Sequence, residues 1–309
     1  MNNIDILNDT LNIIKRGYYI KGEQTVKLKL KISEMKNALV FLPQEVHELK
    51  NYKLPEHVHA IGMCAHNCLN SDSFAAARLL SLDNTDLFQH ATKEVLVLNF
   101  ANPVNPGGCV RYGAKAQEED LCRTSSLLLS LESNNALKYY KYNRTLRTYM
   151  GSDAVIITPK VEIIKDSDGN LLDESVVVTV MTCAAPIIIY GMEGMDEKQY
   201  RELFLNRITG MLRVAAYMGY KRLVLGAFGC GAFGNDAKIV SDLFLKALKE
   251  FEFDGMTEKD MFCQIDFAIP ARSSRQYNYN EFYRNFGGDN FFREGKKEQY
   301  DTAACKRET

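Results

Sequence analysis

The sequence predicts an α/β fold with helices on both sides of a mixed, largely parallel sheet, preceded by a more irregular N-terminal accessory segment. From residue 95 to 290, short apolar runs alternate with stretches of helical periodicity, the pattern of strands joined by helical crossovers. Val95–Leu98 and Leu223–Leu225 are apolar without alternation, as strands covered on both faces must be. No internal repeat and no Gly/Ser/Pro-rich joint divides the chain. Residues 1–293 are therefore read as a single domain, with an accessory layer over 1–90 and a core over 91–293. Residues 294–309 are charged, lack a periodic apolar face, and are expected to form a mobile tail.

Each element has its own warrant. Ile4, Leu7, Leu11 and Ile14 fall at helical spacing, so 4–16 is predicted as a first helix. Alternation over Val26–Ile32 predicts a strand with one wet face, and His59–Cys64 a second. Ser71-Asp72-Ser73 is an N-cap cluster for a helix over 73–82. The buried run at 95–98 ends in a loop over 99–116, and a helix with Leu121, Ser125 and Leu128 on one face follows. Ala154–Ile157 is a strand, and Val161–Ile164 with Val176–Thr182 is a hairpin around a polar tip at 166–170. The clearest helix spans 196–218, with Leu205, Ile208, Leu212 and Ala215 aligned. It leads to Leu223–Leu225, a Gly-rich loop at 226–234, a helix through Ile239, Phe244 and Leu248, and a final strand over Met261–Ile269.

Composition excludes several function classes. Lys+Arg at 38 nearly balance Asp+Glu at 39, so no excess charge argues for general nucleic-acid or membrane-surface binding. No apolar run approaches the roughly 20 residues that span a bilayer, and Met-Asn-Asn-Ile-Asp does not start like a signal peptide. Eight cysteines (64, 68, 109, 122, 183, 230, 263 and 305) are scattered through mostly apolar or glycine-rich surroundings, which suggests a cytoplasmic protein with free thiols. His57-x-His59 and Cys64-x-His66-x-Cys68 place five soft ligands close together. Alternation along a 59–64 strand would send them to opposite faces, so the expectation is buried cysteines, exposed histidines and no metal.

Two strand ends carry unusual loops, and ligands of open α/β sheets sit outside such ends. The first runs from Asn99 through Gly107-Gly108-Cys109 to Gln117-Glu118-Glu119-Asp120; the second is Gly226–Asp236. Glycines at 226, 229, 231 and 234 permit left-handed backbone and close approach of amide N–H groups to an anion, which points to a phosphate-bearing ligand. There is no Walker motif, and the literal Gly229-x-Gly231-x-x-Gly234 match is weak evidence for a dinucleotide fold. Carboxylates in a first helical turn also suit the helix dipole, with or without catalysis. Glu118 and Glu119 diverge by about 100° on a helix, so they cannot flank one bond from opposite sides, but they can divide sugar binding and proton transfer between them.

Asn99-Phe-Ala-Asn102, the Gly-Gly turn and Gln117-Glu118-Glu119 resemble the signature of poly(ADP-ribose) glycohydrolases of the bacterial-type branch of the macrodomain superfamily. The family pattern is three glycines, six to eight residues, then Gln-Glu-Glu. Gly229-Cys-Gly-Ala-Phe-Gly-Asn235 is similar to the branch's diphosphate loop, and the likeness extends thinly from Thr10-Leu11 to about residue 270. The resemblance implies a macrodomain-like αβα sandwich with an ADP-ribose cleft that needs no metal and no cofactor. It implies that Asn102 binds the distal ribose, Glu118 holds ribose hydroxyls, and Glu119 protonates the leaving ribose oxygen and then activates water. It further implies that Gly107, Gly108 and Cys109 lie along one side of the diphosphate and Gly229, Cys230, Gly231, Ala232, Phe233 and Gly234 along the other. In the same frame Phe233 packs on the distal ribose and Gln117 orients its loop. Expected partners are ADP-ribose, poly(ADP-ribose) or ADP-ribosylated macromolecules, met by a monomer. One departure stands out, because Cys109 replaces the third glycine. Either it is strained at positive φ, which favours binding without hydrolysis, or its backbone is ordinary. An ADP-ribose reader, and a hydrolase removing mono-ADP-ribose from protein or nucleic acid, are the competing functions.

Overall fold

The computed structural model describes residues 2–56, 58–82, 94–272 and 275–287. The expected tail at 294–309, His57 and Cys305 lie outside the described residues. The helices are α1 (Asn3–Arg16), α2 (Pro43–Glu48), α3 (Ser73–Ser81), α4 (Gln117–Thr124), α5 (Leu127–Leu131), α6 (Leu137–Leu146), α7 (Glu197–Tyr217), α8 (Ala237–Lys249), α9 (Glu258–Met261) and α10 (Gln276–Phe286). The strands are β1 (Tyr18–Lys21), β2 (Gln24–Lys27), β3 (Leu39–Phe41), β4 (Ala65–Leu69), β5 (Val95–Phe100), β6 (Val155–Lys165), β7 (Leu171–Cys183), β8 (Arg222–Leu225), β9 (Glu252–Phe253), β10 (Met256–Thr257) and β11 (Gln264–Ala268).

Among the described residues, seven strands form the central sheet in the order β3-β6-β7-β5-β8-β11-β4. Pairing is parallel from β7 through β5, β8 and β11 to β4, and antiparallel at β6–β7 and β3–β6. The α/β expectation therefore holds. Alternate residues of β5 feed two cores, Leu96 and Leu98 on one side, Val95 and Val97 on the other. The first core is covered by α2, α7, α8 and α10; the second by α1, α3, α4, α5 and α6. That is an αβα sandwich. β3 and β4, both from the first 90 residues, are its two edge strands, so the expected accessory layer supplies both margins of the sheet. No helix among the described residues is long and apolar enough to cross a membrane.

Several elements depart from the sequence reading for identifiable reasons. The strand expected at 26–32 ends at Lys27, because the Lys29 and Leu30 amides instead donate to the buried Glu162 carboxylate at 2.7 and 3.1 Å. The 59–64 strand starts later, at Ala65, where parallel pairing with β11 begins. One helix through 117–128 becomes two, since Ser125 turns extended and bridges Ile163. The final strand begins at Gln264, after α9 has occupied 258–261 behind a Thr257–Asp260 capping box. α6 and α10 were not expected.

Candidate active site

β5 and β8 lie side by side and point the same way, so the loops leaving their C-terminal ends, 101–116 and 226–236, emerge together. Phe100 joins them: a Cβ at Gly226 would sit 2.9 Å from its ring and 2.8 Å from the Ala268 carbonyl. Only glycine fits there.

The first loop is folded by its own polar groups. Asn102 Oδ1 accepts the Val104 and Asn105 amides, both at 2.9 Å, which tightens the turn. Gly107 and Gly108 have φ of 67° and 60°, the left-handed region. A Cβ at Gly107 would meet Leu128 at 2.6 Å, and one at Gly108 would overlap Glu119 Oε1. The turn thus lies directly on the start of α4. Cys109, by contrast, has φ −106° and ψ 29°, a conformation open to any residue, and its side chain is exposed. Of the two readings of Cys109, the structure supports the unstrained one.

Gln117 latches α4 to the sheet. Its Oε1 accepts the Phe100 amide at 2.9 Å, and its Nε2 donates to the Leu98 carbonyl at 2.7 Å and to Ser73 Oγ at 3.1 Å. Glu118 and Glu119 follow in the first turn, both buried. Glu118 Oε2 accepts the Asn102 amide at 2.7 Å, and Oε1 accepts Asn99 Nδ2 at 3.3 Å. Burial pushes the Glu118 carboxyl up to about 8; the amide donors at Asn102 and Gly107 and the Asn99 side chain oppose the rise, and the Glu119 charge adds to it. Glu119 Oε1 accepts the Cys109 amide at 2.9 Å, while its Oε2 is buried with no hydrogen-bond partner. One oxygen is fixed and the other is unoccupied by protein. Asp120, next in line, is pushed up to about 6, chiefly by burial, despite Arg123 at 3.3 Å.

In the second loop, Gly229 and Gly234 have φ of 76° and 80°, and Gly231 and Ala232 are exposed. Phe233 is half-buried against the α7–α8 core, and its carbonyl accepts the Ile188 and Ile189 amides at 2.9 and 3.2 Å. The half-buried Cys230 offers its carbonyl to Asn278 Nδ2 at 3.3 Å. Asn235 organises the turn. Its Oδ1 accepts Tyr200 O–H at 2.7 Å, and its Nδ2 donates to the carbonyls of Pro186 (2.8 Å) and Gly229 (2.9 Å). Asp236 then caps α8 through the Ile239 amide at 3.0 Å.

The structure therefore gathers Asn102, Gly107, Gly108, Cys109, Gln117, Glu118 and Glu119 into one cluster and sets 229–234 at the neighbouring strand end. Asn99, Thr182 and Tyr200 were not singled out from sequence. Asn99 Nδ2 also reaches Thr182 Oγ1 at 3.1 Å, and it stood within the quoted motif, whereas nothing local in sequence marks Thr182 or Tyr200.

Two neighbouring parallel strands of a mixed sheet, each ending in a glycine turn, with a buried carboxylate pair beside them, define a candidate carboxylate-based site on an α/β fold. The chain belongs to the microbial-type PARG catalytic domain family, whose model matches residues 8–166. An ADP-ribose glycohydrolase from Archaeoglobus fulgidus is 26% identical over 208 residues, covering 67% of this chain and 93% of that protein. The poly(ADP-ribose) glycohydrolase structure from Thermomonospora curvata superposes with a TM-score of 0.77 at 27% identity, covering 92% of this chain and 99% of that one. The Deinococcus radiodurans enzyme, solved with ADP-ribose, gives 0.69 at 31% identity, with 84% and 98% covered.

Proposed function

We propose that this protein is a poly(ADP-ribose) glycohydrolase that cleaves ribose–ribose O-glycosidic bonds and releases ADP-ribose, with Glu119 as general acid and then general base. The observation that carries this reading is the asymmetric Glu119 carboxylate, one oxygen held by the Cys109 amide and the other buried and unpartnered. A carboxyl fixed on one side presents its second oxygen in a defined direction, as proton transfer requires. Protonated, that oxygen gives its proton to the leaving ribose oxygen as the anomeric carbon gains oxocarbenium character. The resulting carboxylate then takes a proton from the attacking water. Glu118, neutral at pH 7 because burial holds its proton, binds ribose hydroxyls and adds no like charge beside the working Glu119. The 107–109 turn lies against the diphosphate on one side and the 229–234 loop on the other, and Asn102 and Phe233 border the distal ribose. The solved Deinococcus relative holds ADP-ribose, and the Thermomonospora relative holds the inhibitor ADP-HPD, which supports a ligand of this class.

The feature that favoured a non-hydrolysing reader was Cys109, and its ordinary backbone removes that argument. The same reading has the protein act as a monomer. Seven free cysteines among the described residues fit a reducing cytoplasm. The test is incubation with poly(ADP-ribose) at pH 5–8, reading released ADP-ribose by chromatography, beside mono-ADP-ribosylated protein and DNA. Glu119→Gln should lower turnover by about 10²–10⁴-fold while ADP-ribose still binds. Binding without release by the wild type would make the protein a reader, and unchanged turnover in the variant would remove Glu119 from the chemistry.

A further inference from the structure

The N-terminal ends of β4 and β11 lie at the margin of the sheet opposite the carboxylate pair, since both strands run parallel to β8 and β5. There Cys64, His66 and Glu258 bring one sulfur, one ring nitrogen and one carboxylate oxygen within 4.8 Å of one another. We infer that this cluster is a binding site for a divalent transition ion of the zinc class, which ties the edge strand β4 to α9.

Four observations carry the inference. The donor set mixes thiol, imidazole and carboxylate, the three groups zinc prefers. The donors come from chain segments far apart, with Glu258 192 residues from His66, so the convergence is tertiary rather than a local accident of sequence. The expected 59–64 strand, whose alternation was the ground for expecting no metal, is absent, and Cys64, just before β4, and His66 within it both reach Glu258. Glu258 is buried, with 7% of its surface exposed, and among the described residues its carboxylate meets the His66 Nε2 and the Cys64 thiol rather than a Lys or Arg. A divalent cation at the centre of these three groups would meet the buried carboxylate, the imidazole nitrogen and the sulfur at once.

Tetrahedral zinc holds such atoms roughly 3.5 Å apart, so the ion replaces the direct His66–Glu258 contact, those two donors separating slightly to admit it. Cys263, just before β11, has its thiol engaged by the Lys221 carbonyl at 3.3 Å, so three protein donors are offered and a fourth ligand would come from solvent. The half-exposed His66 side chain gives access from solvent. On binding, the ion replaces the Cys64 thiol proton, which passes to solvent. The site is separate from the ADP-ribose cleft, and its occupancy does not depend on the proposed hydrolysis.

The test uses the full chain, stripped with a chelator and titrated with Zn²⁺ alone against a chromophoric competitor. We expect one ion per chain with a dissociation constant of about 10 μM or tighter, and a melting temperature that rises with Zn²⁺ concentration. Cys64→Ser and His66→Gln should each weaken binding about tenfold or more, whereas Cys109→Ser, which removes an exposed thiol elsewhere, should not. Co²⁺ added to the wild-type protein should give a thiolate-to-cobalt absorption band, a readout that needs no variant to fold. Absence of that band, or zinc affinity unchanged in Cys64→Ser, would overturn the site.

Discussion

Burial gives two neighbouring carboxyl groups different surroundings. Glu118 is enclosed by backbone amides and Asn99, and its proton stays on to about pH 8. Its ordinary value is 4.5, so between about 4.5 and 8 the folded protein holds a proton that the unfolded chain has released. Stability must then fall as pH rises through that window, by on the order of 1 kcal/mol per pH unit from this group. Urea denaturation at several pH values should show that slope in the wild type and a flatter profile in Glu118→Gln; parallel profiles would show that Glu118 is ionised in the fold. Cys109 allows a second check at the same scale. Because its φ is −106°, glycine relieves no strain there. Cys109→Gly should leave turnover within about twofold and lower stability by roughly 0.5–1 kcal/mol through the freer unfolded chain. A tenfold loss of turnover would give the thiol a part in the reaction.

The elements holding those residues were unequally legible. Gln117-Glu118-Glu119 after a Gly-Gly turn was readable because glycine and carboxylate chemistry is local. α3, α7 and α8 were readable because their apolar stripes and caps are local too. The split between α4 and α5 was hidden, since Ser125 leaves the helix to meet Ile163, a partner 38 residues on that no helical pattern reveals. The early end of β2 was hidden for the same reason, its continuation being claimed by Glu162. Asn235 ends the quoted Gly229–Asn235 loop without a role readable from sequence, and only the fold shows Tyr200 and Pro186 converging on it. Gln117 shows how an element's placement is testable. Gln117→Ala removes partners from the Phe100 amide and the Leu98 carbonyl, so it should destabilise by about 2 kcal/mol and slow turnover by letting α4 shift. A variant with wild-type stability in urea would mean that α4 is held by its apolar face alone.

Across the whole molecule, both edges of the sheet come from the first quarter of the chain while their partners come later. β4 pairs with β11, and the Asn67–Asp266 contact between them spans 199 residues. Long-range parallel pairing is slow because closure entropy precedes the contacts that repay it. After dilution from urea, helical signal should return first, and ADP-ribose release only on the order of seconds or later; simultaneous recovery would argue that the sheet margin forms early. Synthesis imposes a related order. At about 5–20 residues per second, β4 waits roughly 10–40 s on the ribosome before β11 exists. In the last roughly 2–8 s of that wait, between the synthesis of β8 and that of β11, the outer edge of β8, Arg222–Leu225, has no neighbour, so a translating cell has to shield this stretch of nascent polypeptide from sticking to other chains.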